Sequence, residues 1–179
     1  MSPRPAVEAH EGAGNIRPLP ISAASNPRPR DTQSAFLRRE GIQVNDGALE
    51  LLGISGSLRS GSYNSALLRA ASRLVPEGVR IEIYDGMGDL PLYNDDVRLL
   101  GEPPAVTRMK QRVAAADGIL IVTPEYNNSV PGPLQNAIDW LSRPAAESPL
   151  RGKPAGIAGV ATGNFGTVRA QTALRQVLA

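Results

Sequence analysis

The residues of this chain with the clearest chemical potential form one hydroxyl-rich run, residues 55–64, which reads Ser-Gly-Ser-Leu-Arg-Ser-Gly-Ser-Tyr-Asn. The run follows the apolar segment 49–54, which is typical of a buried strand, and precedes residues 65–74, whose apolar side chains recur at helical spacing. A helix N-terminus carries free N–H groups and a partial positive charge, so this strand–loop–helix unit can hold an anion such as a phosphate. Serine hydroxyls and the guanidinium of Arg59 supply further donors.

Two familiar phosphate-binding motifs are absent from this run. Gly56 and Gly61 have the spacing of a Walker A loop, but Ser62 stands where that motif requires lysine, which argues against an NTPase. The dinucleotide pattern G-x-G-x-x-G is also absent. What is left suits a single phosphate, such as that of FMN, held by hydroxyls and backbone amides. The alternative is a serine–glycine connection in which a serine caps the helix and no ligand binds.

A second run, residues 123–140, reads Thr-Pro-Glu-Tyr-Asn-Asn-Ser-Val-Pro-Gly-Pro-Leu-Gln-Asn-Ala-Ile-Asp-Trp. Its prolines and glycine fix an irregular backbone, and the N–H groups of such a backbone can bind the polar edge of a planar ring. Tyr126 offers an aromatic face for stacking. Proline, glycine and tyrosine are also ordinary turn residues, so this run alone is equally consistent with a rigid turn.

Composition excludes several classes of function. The chain of 179 residues has no cysteine, which excludes disulfides, thiolate nucleophiles and cysteine-ligated metals, and its one histidine, His10, excludes histidine-based triads. The net charge of +2 comes from scattered basic residues, which disfavours nucleic acid as a partner. No apolar run is long enough to span a membrane, and the expected compartment is the cytoplasm.

Strand and helix patterns alternate after a tail rich in proline, arginine and serine, residues 1–47, which is predicted to be disordered. Strands are predicted at residues 49–54, 79–84, 119–122 and 155–161, separated by helices and by a long loop over residues 85–104. The predicted inward faces are Leu67, Ala71 and Leu74, with Leu68 and Val75 beside them; Val106, Met109, Val113 and Ala116; Leu134, Ala137, Ile138 and Leu141; and Ala170, Ala173, Leu174 and Val177.

This alternation predicts an α/β fold with a parallel sheet and helices on both faces. Right-handed crossovers bring the carboxyl ends of parallel strands to one edge, where open α/β sheets bind ligands. Residues 55–64, 123–132 and 162–167 all follow such strand ends, so we expect these three loops to meet.

The two runs together resemble the NADPH-dependent FMN reductase family, which includes bacterial quinone, azo-dye and chromate reductases with a flavodoxin-like fold. The family pattern G-S-x-R-x-x-S-x-N matches residues 56–64, and P-E-Y-N-x-S-x-P-G-x-L-x-N-A-I-D-W matches residues 124–140. A third pattern, R-A-Q-x-x-L-R, matches residues 169–175. The resemblance covers about residues 48–179 and none of the tail.

The resemblance implies a doubly wound parallel sheet in three α/β/α layers. It also implies FMN as cofactor, NADPH or NADH as hydride donor and a small-molecule electron acceptor, with the chemistry on FMN rather than on a catalytic side chain or a metal. The residues it implies around FMN are Ser57, Arg59, Ser62 and Asn64 for the phosphate; Pro124, Glu125, Tyr126 and Asn127 for the isoalloxazine; and Thr162, Gly163 and Asn164 beside the ring.

The sequence departs from the family pattern in two places. Gly166 and Thr167 stand where the family often has two glycines. The family continues from the last predicted helix into a fifth strand and a final helix, whereas this chain stops at Ala179, so the fourth strand is expected to be an unpaired edge. Two other functions stay open: a flavodoxin-type electron carrier, disfavoured because such carriers tend to be acidic, and a shortened remnant without activity.

The resemblance also implies a homodimer, or a dimer of dimers, through the third predicted helix. Trp140 lies off the centre of the apolar stripe of that helix, which predicts an exposed indole near the contact. The alternative is that Trp140 folds onto residues 142–152 and covers the core of a monomer.

Overall fold

The computed structural model describes residues 47–179. The disordered tail predicted over residues 1–47 lies outside the described residues, apart from Gly47, and stays a prediction. Strands and helices alternate along the described chain in the order β1 Leu49–Ser55, α1 Tyr63–Arg73, β2 Val79–Ile83, α2 Asp95–Leu100, α3 Pro104–Ala115, β3 Gly118–Val122, α4 Gly132–Leu141, β4 Ala155–Ala158 and α5 Val168–Leu178, with short 3-10 turns at Gly86–Asp89 and Ala145–Glu147.

The strands form a parallel sheet in the order β2-β1-β3-β4, which confirms the flavodoxin-like topology for the described strands. The register pairs Ser55 with Val122 and Val122 with Ala158. The last residues of β1, β3 and β4 therefore lie side by side, and the loops that follow them leave the sheet at one edge. Among the described residues β4 pairs only with β3.

Helices cover both faces of the sheet, as predicted. Leu52 and Ile54 of β1 share one face with Ile119 and Ile121 of β3, and this face packs in a continuous core with side chains of α3, α4 and α5. Gly53 points to the opposite face because side chains alternate along a strand. A Cβ at Gly53 would come within 2.8 Å of the Leu68 side chain of α1, which places α1 on that second face.

The predicted centre of the inward face of α1 is wrong, because Leu68, predicted beside the stripe, is the residue at its centre. Leu68 is fully buried, whereas Leu67 is 36% exposed and Leu74 is 82% exposed. Leu68 takes the central position because it packs over Gly53, which has no side chain. The apolar spacing of α1 fits two adjacent stripes, and contact with the sheet selects the stripe through Leu68 instead of the one through Leu67.

The predicted faces of the other helices are largely confirmed. The predicted inward residues of α3 and α4 are all buried, and so are Ala170 and Leu174 of α5. Val177 of α5 was predicted inward but is 42% exposed, whereas the next residue, Leu178, packs against the core. β4 ends at Ala158 rather than at residue 161, since the backbone of Val160 bonds to a side chain of α1 instead of to β3.

Trp140 is fully buried, so the predicted exposed indole at a dimer contact is wrong. Its Nε1–H donates to the carbonyl oxygen of Pro91 at 2.8 Å, and its ring meets that of Tyr93 edge-on with centroids 4.9 Å apart. Residues 91–93 therefore cover the indole. The alternative prediction, that Trp140 folds onto residues 142–152, named the wrong segment. Residues 91–93 belong to the predicted loop 85–104, which in fact also contains α2, begun by the cap that Asn94 forms with the N–H of Asp96.

Within the described residues, no helix is both long enough and apolar enough to cross a membrane.

Candidate functional site

Three loops meet at the carboxyl edge of the sheet: the first loop, residues 55–64; the second loop, residues 123–132; and the third loop, which spans residues 159–167 because β4 ends early. The first and second loops pack closely at Gly56. A Cβ there would come within 2.9 Å of Thr123 Oγ1 and within 3.3 Å of the Pro124 ring, so only glycine allows this approach. The sequence-based expectation that the three loops meet is confirmed.

The first loop presents unpaired backbone donors. Ser62 is buried and its hydroxyl caps α1, accepting from the N–H groups of Asn64 and Ser65 at 3.2 and 3.3 Å. The Ser57 hydroxyl accepts from the N–H of Arg59 at 3.3 Å. Within the described part of the chain, further N–H groups of this loop find no acceptor, namely those of Leu58, Ser60, Gly61 and Tyr63. A row of free donors at a helix N-terminus can bind an anion.

Arg59 adds a positive charge to this row of donors. Its side chain is exposed, and its Cζ lies 5.9 Å from the centroid of the Tyr63 ring, a distance at which a cation and an aromatic face attract each other. The guanidinium is therefore held beside the start of α1 without an acidic partner among residues 47–179. A phosphate at the loop would meet both the backbone donors and this cation.

The second loop has a rigid tip. Tyr126 and Ser129 exchange backbone hydrogen bonds of 3.2 and 3.0 Å, and the two residues between them, Asn127 and Asn128, have φ values of +51° and +63°. Two consecutive positive φ values are the signature of a type I′ turn, which asparagine tolerates better than most residues. The turn fixes Tyr126, whose hydroxyl lies 3.4 Å from Ser57 Oγ and whose ring is half-exposed.

The third loop is fastened at both ends and open at its tip. Near its start, Asn64 bonds the backbone of Val160 in both directions, and just beyond its end Glu125 accepts from the first N–H groups of α5. The predicted residues Thr162, Gly163 and Asn164 form the exposed tip. The loop therefore keeps a fixed base while presenting a polar, accessible tip beside the other two loops.

The residues that the sequence predicted around a flavin all lie on the three loops. The Ser57 and Tyr126 hydroxyls meet between the first and second loops and Arg59 lies beside Tyr63, whereas the polar atoms of Asn64 and Glu125 bond to the two ends of the third loop. The contact between the Arg169 guanidinium and Asn128 Oδ1, which joins α5 to the second loop, was not predicted from the sequence. The one sequence signal for this contact is the pair Asn127–Asn128, because two adjacent asparagines are typical of a turn with positive φ.

The described chain also has a groove that lies away from the three loops. This groove, of about 560 Å³, lies at the opposite end of the sheet, between the end of α4, residues 148–153 and the end of α5. It contains none of the predicted site residues.

Residues 47–179 contain no group of three or more histidine, cysteine, aspartate or glutamate side chains that could hold a metal ion.

Comparison with known proteins gives consistent matches. The family described as NADPH-dependent FMN reductase matches residues 49–179. An NAD(P)H-dependent FMN reductase of Pseudomonas aeruginosa is 59% identical over 130 residues, covering 73% of this chain and 69% of that protein. A 2-hydroxy-1,4-benzoquinone reductase of Burkholderia sp is 47% identical over 133 residues, covering 74% and 71%. The solved structure of FerB, a flavoenzyme NAD(P)H:(acceptor) oxidoreductase from Paracoccus denitrificans, superposes with a TM-score of 0.69 at 37% identity, covering 73% of this chain and 71% of that one.

Proposed function

The chain belongs to the NADPH-dependent FMN reductase family, and from that premise we propose that its first loop holds the FMN phosphate while the second and third loops hold the isoalloxazine. The protein is an FMN-dependent NAD(P)H oxidoreductase. FMN, when bound, accepts a hydride from NAD(P)H and returns electrons to an acceptor. The protein's own residues bind the cofactor, orient it and shield it from water.

The observation that carries this proposal is the row of unpaired N–H groups in the first loop. Leu58, Ser60, Gly61 and Tyr63 offer donors to an anion at the start of α1, and the exposed Arg59 lies beside them. Ser57 and Arg59 add side-chain donors to the phosphate. Ser62 contributes indirectly, because its cap fixes the first turn of α1 and thereby the direction of the free N–H groups.

The ring end of the site is assigned to the other two loops. Pro124 is buried against Gly56, so the backbone of Pro124, Glu125, Tyr126 and Asn127 is held rigidly where a planar ring edge would lie. The half-exposed ring of Tyr126 offers a stacking face. Thr162, Gly163 and Asn164 at the tip of the third loop close the site from the far side.

We assign a quinone as the electron acceptor. The Burkholderia relative, which is 47% identical over 133 residues, is named for reduction of a hydroxybenzoquinone. A quinone is planar and can stack in the same space as the nicotinamide donor, which suits a site bounded by Tyr126 and an open loop tip. A free flavin is the alternative acceptor, because the Pseudomonas aeruginosa relative is named as an FMN reductase. None of the three proteins compared above is named for reduction of an azo dye or a metal oxyanion.

A flavin titration followed by rapid-mixing kinetics tests the function. The purified full chain should bind FMN with a shifted flavin absorption spectrum, and NADPH or NADH should then bleach the bound flavin before a quinone restores its colour. A flavodoxin-type carrier would bind FMN but would not be reduced by either nucleotide. Failure to bind FMN at all would contradict the assignment of the three loops.

We further propose that the chain forms a homodimer around these loops rather than at Trp140. Each loop carries at least one large exposed apolar side chain: Leu58 at 55% and Tyr63 at 59% in the first loop, Tyr126 at 48% in the second and Phe165 at 85% in the third. Clustered apolar exposure of this kind marks an interaction surface. Sedimentation of the parent against Phe165→Ser, at equal concentration, tests the assembly; a monomeric parent would contradict it. Cytoplasmic location stays a prediction of the sequence.

A further inference from the structure

Two residues that the family resemblance implies at the flavin, Asn64 and Glu125, direct their polar atoms elsewhere. Asn64 is only 4% exposed. Its Nδ2–H donates to the carbonyl oxygen of Val160 at 3.0 Å, and its Oδ1 accepts from the N–H of Val160 at 2.9 Å. This reciprocal pair joins the first turn of α1 to the beginning of the third loop, across 96 positions of sequence.

Glu125 makes the matching connection at the other end of the third loop. Its Oε2 accepts from the N–H groups of Arg169 and Ala170 at 2.9 and 3.1 Å, so the carboxylate caps the N-terminus of α5. A negative charge is favourable there because the helix N-terminus carries a partial positive charge. The Arg169 guanidinium in turn contacts Asn128 of the second loop. The end of the third loop is thereby fixed to the loop that carries Tyr126.

The base of the third loop is closed between these two connections. Gly159 lies against Thr167, which is 2% exposed, so the first and last residues of the loop are in contact. The Thr167 hydroxyl accepts from Gln171 Nε2 at 3.0 Å and is held in place by α5. Only the tip is exposed, and its position relative to the first two loops depends on Asn64 at one end and Glu125 at the other.

We propose that the side chains of Asn64 and Glu125 are positioning groups, which support FMN binding by fixing the third loop against the first and second loops rather than by contacting the cofactor themselves. This inference rests on the proposed function, because it assumes that the tip of the third loop closes over FMN. Residues that fix a loop at two points act as a unit: once one end is released, the second connection no longer holds the tip.

The test is a double-mutant cycle on the full chain with two readouts. Asn64→Ala, Glu125→Ala and the double variant are titrated with FMN, and amide hydrogen exchange is measured in each without FMN. Asn94→Ala is the matched control, because Asn94 also caps a helix, α2, but contacts none of the three loops. Glu125→Gln serves as the conservative variant, since it keeps an oxygen that can accept from both N–H groups.

We expect each single variant to raise the Kd for FMN roughly tenfold, as misplacing a supporting group does. The amide of Val160 should lose exchange protection in Asn64→Ala, and those of Arg169 and Ala170 in Glu125→Ala. The double variant should raise Kd by clearly less than the product of the two single effects. Glu125→Gln should recover most of the affinity, and Asn94→Ala should bind FMN as the parent does.

Three results would overturn the inference. The first is loss of exchange protection with FMN affinity unchanged, since the loop would then be free without consequence. The second is loss of affinity with protection retained, which would mean that the side chains contact FMN directly. The third is a multiplicative double variant, which would mean that the two residues act independently and not as a unit. If the parent itself bound no FMN, the proposed function would fail and this inference with it, which separates the two cases.

Discussion

Gly159→Ala is the substitution for which the structure predicts the largest effect from a single methyl group. A Cβ at residue 159 would lie closer than 3.0 Å to both the Thr167 hydroxyl and the carbonyl oxygen of Thr123, distances that real Cβ atoms essentially never show. The hydroxyl can rotate away, but the carbonyl belongs to the backbone at the end of β3, which accommodates no such movement without shifting the sheet.

The size of the effect follows from two opposing contributions. Forcing a methyl group into a closely packed site costs about 1–3 kcal/mol, and the backbone contact places Gly159 at the upper end of that range. Replacing glycine by alanine also restricts the unfolded chain, which stabilises by about 0.4–1 kcal/mol. The net loss is about 2 kcal/mol, which corresponds to a fall in Tm of roughly 8 °C for a domain of this size.

Gly163→Ala is the matched control, because it makes the same chemical change in the same loop where no atom lies within 4 Å of the added Cβ. Its Tm should stay level or rise slightly in thermal unfolding followed by circular dichroism. Adding Thr167→Ala to Gly159→Ala should restore only part of the loss, since the Thr123 carbonyl remains. Equal Tm values for Gly159→Ala and Gly163→Ala would refute the reasoning, and full recovery by Thr167→Ala would refute the role of the carbonyl.

Four further predictions address the site and the core. Arg59→Ala should weaken FMN binding by about 1.5–3 kcal/mol, the value of a hydrogen bond to a charged group, and an unchanged titration would remove Arg59 from the phosphate site. Deletion of residues 1–47 should leave the Kd for FMN unchanged, because their composition cannot support a core; loss of binding would contradict this. Trp140→Ala should lower the free energy of unfolding in urea by about 3–5 kcal/mol, whereas Leu100→Ala, at a side chain 91% exposed, should change it by less than about 0.5 kcal/mol. Burial raises the pKa of the Tyr84 phenol, so the native state retains a proton that the unfolded chain loses above about pH 10. The free energy of unfolding should therefore fall as the pH rises from about 10 towards the native pKa. Urea unfolding at about pH 9 and about pH 11 measures this fall, and Tyr84→Phe should lack the part of it that comes from Tyr84.

The sheet and most helices could be predicted because their signals are local. Residues 119–122 form a continuous apolar run, which is typical of a strand covered on both faces, and α3 and α4 have apolar side chains at helical spacing. α2 was missed because it spans six residues and leaves Leu99 and Leu100 exposed, so it has no periodic apolar face. The buried stripe of α1 depends on Gly53, a distant residue in another element.

The candidate site was predictable to the same extent, because its local motifs could be identified in the sequence and its distant pairings could not. The sequence predicted which loops meet and which residue types they carry, since both follow from motifs and from parallel topology. It could not predict that Asn64 bonds a backbone 96 positions away or that Glu125 caps a helix 44 positions away, because such pairings exist only once the sheet has formed. The burial of Trp140 could not be predicted for the same reason, because Pro91, which accepts from the indole N–H, lies 49 positions upstream.

The placement of Trp140 also has an optical consequence. It is the only tryptophan in the chain, and it is fully buried with its indole N–H bonded to Pro91. Tryptophan emission therefore arises from one known environment, the contact between α4 and residues 91–93, and a red shift reports water reaching that contact. Since no tryptophan lies in residues 1–47 or in the three loops, changes in those segments alter the signal only through that contact or through bound flavin. The protein thus carries a built-in fluorophore that distinguishes undocking of residues 91–93 from events at the flavin edge.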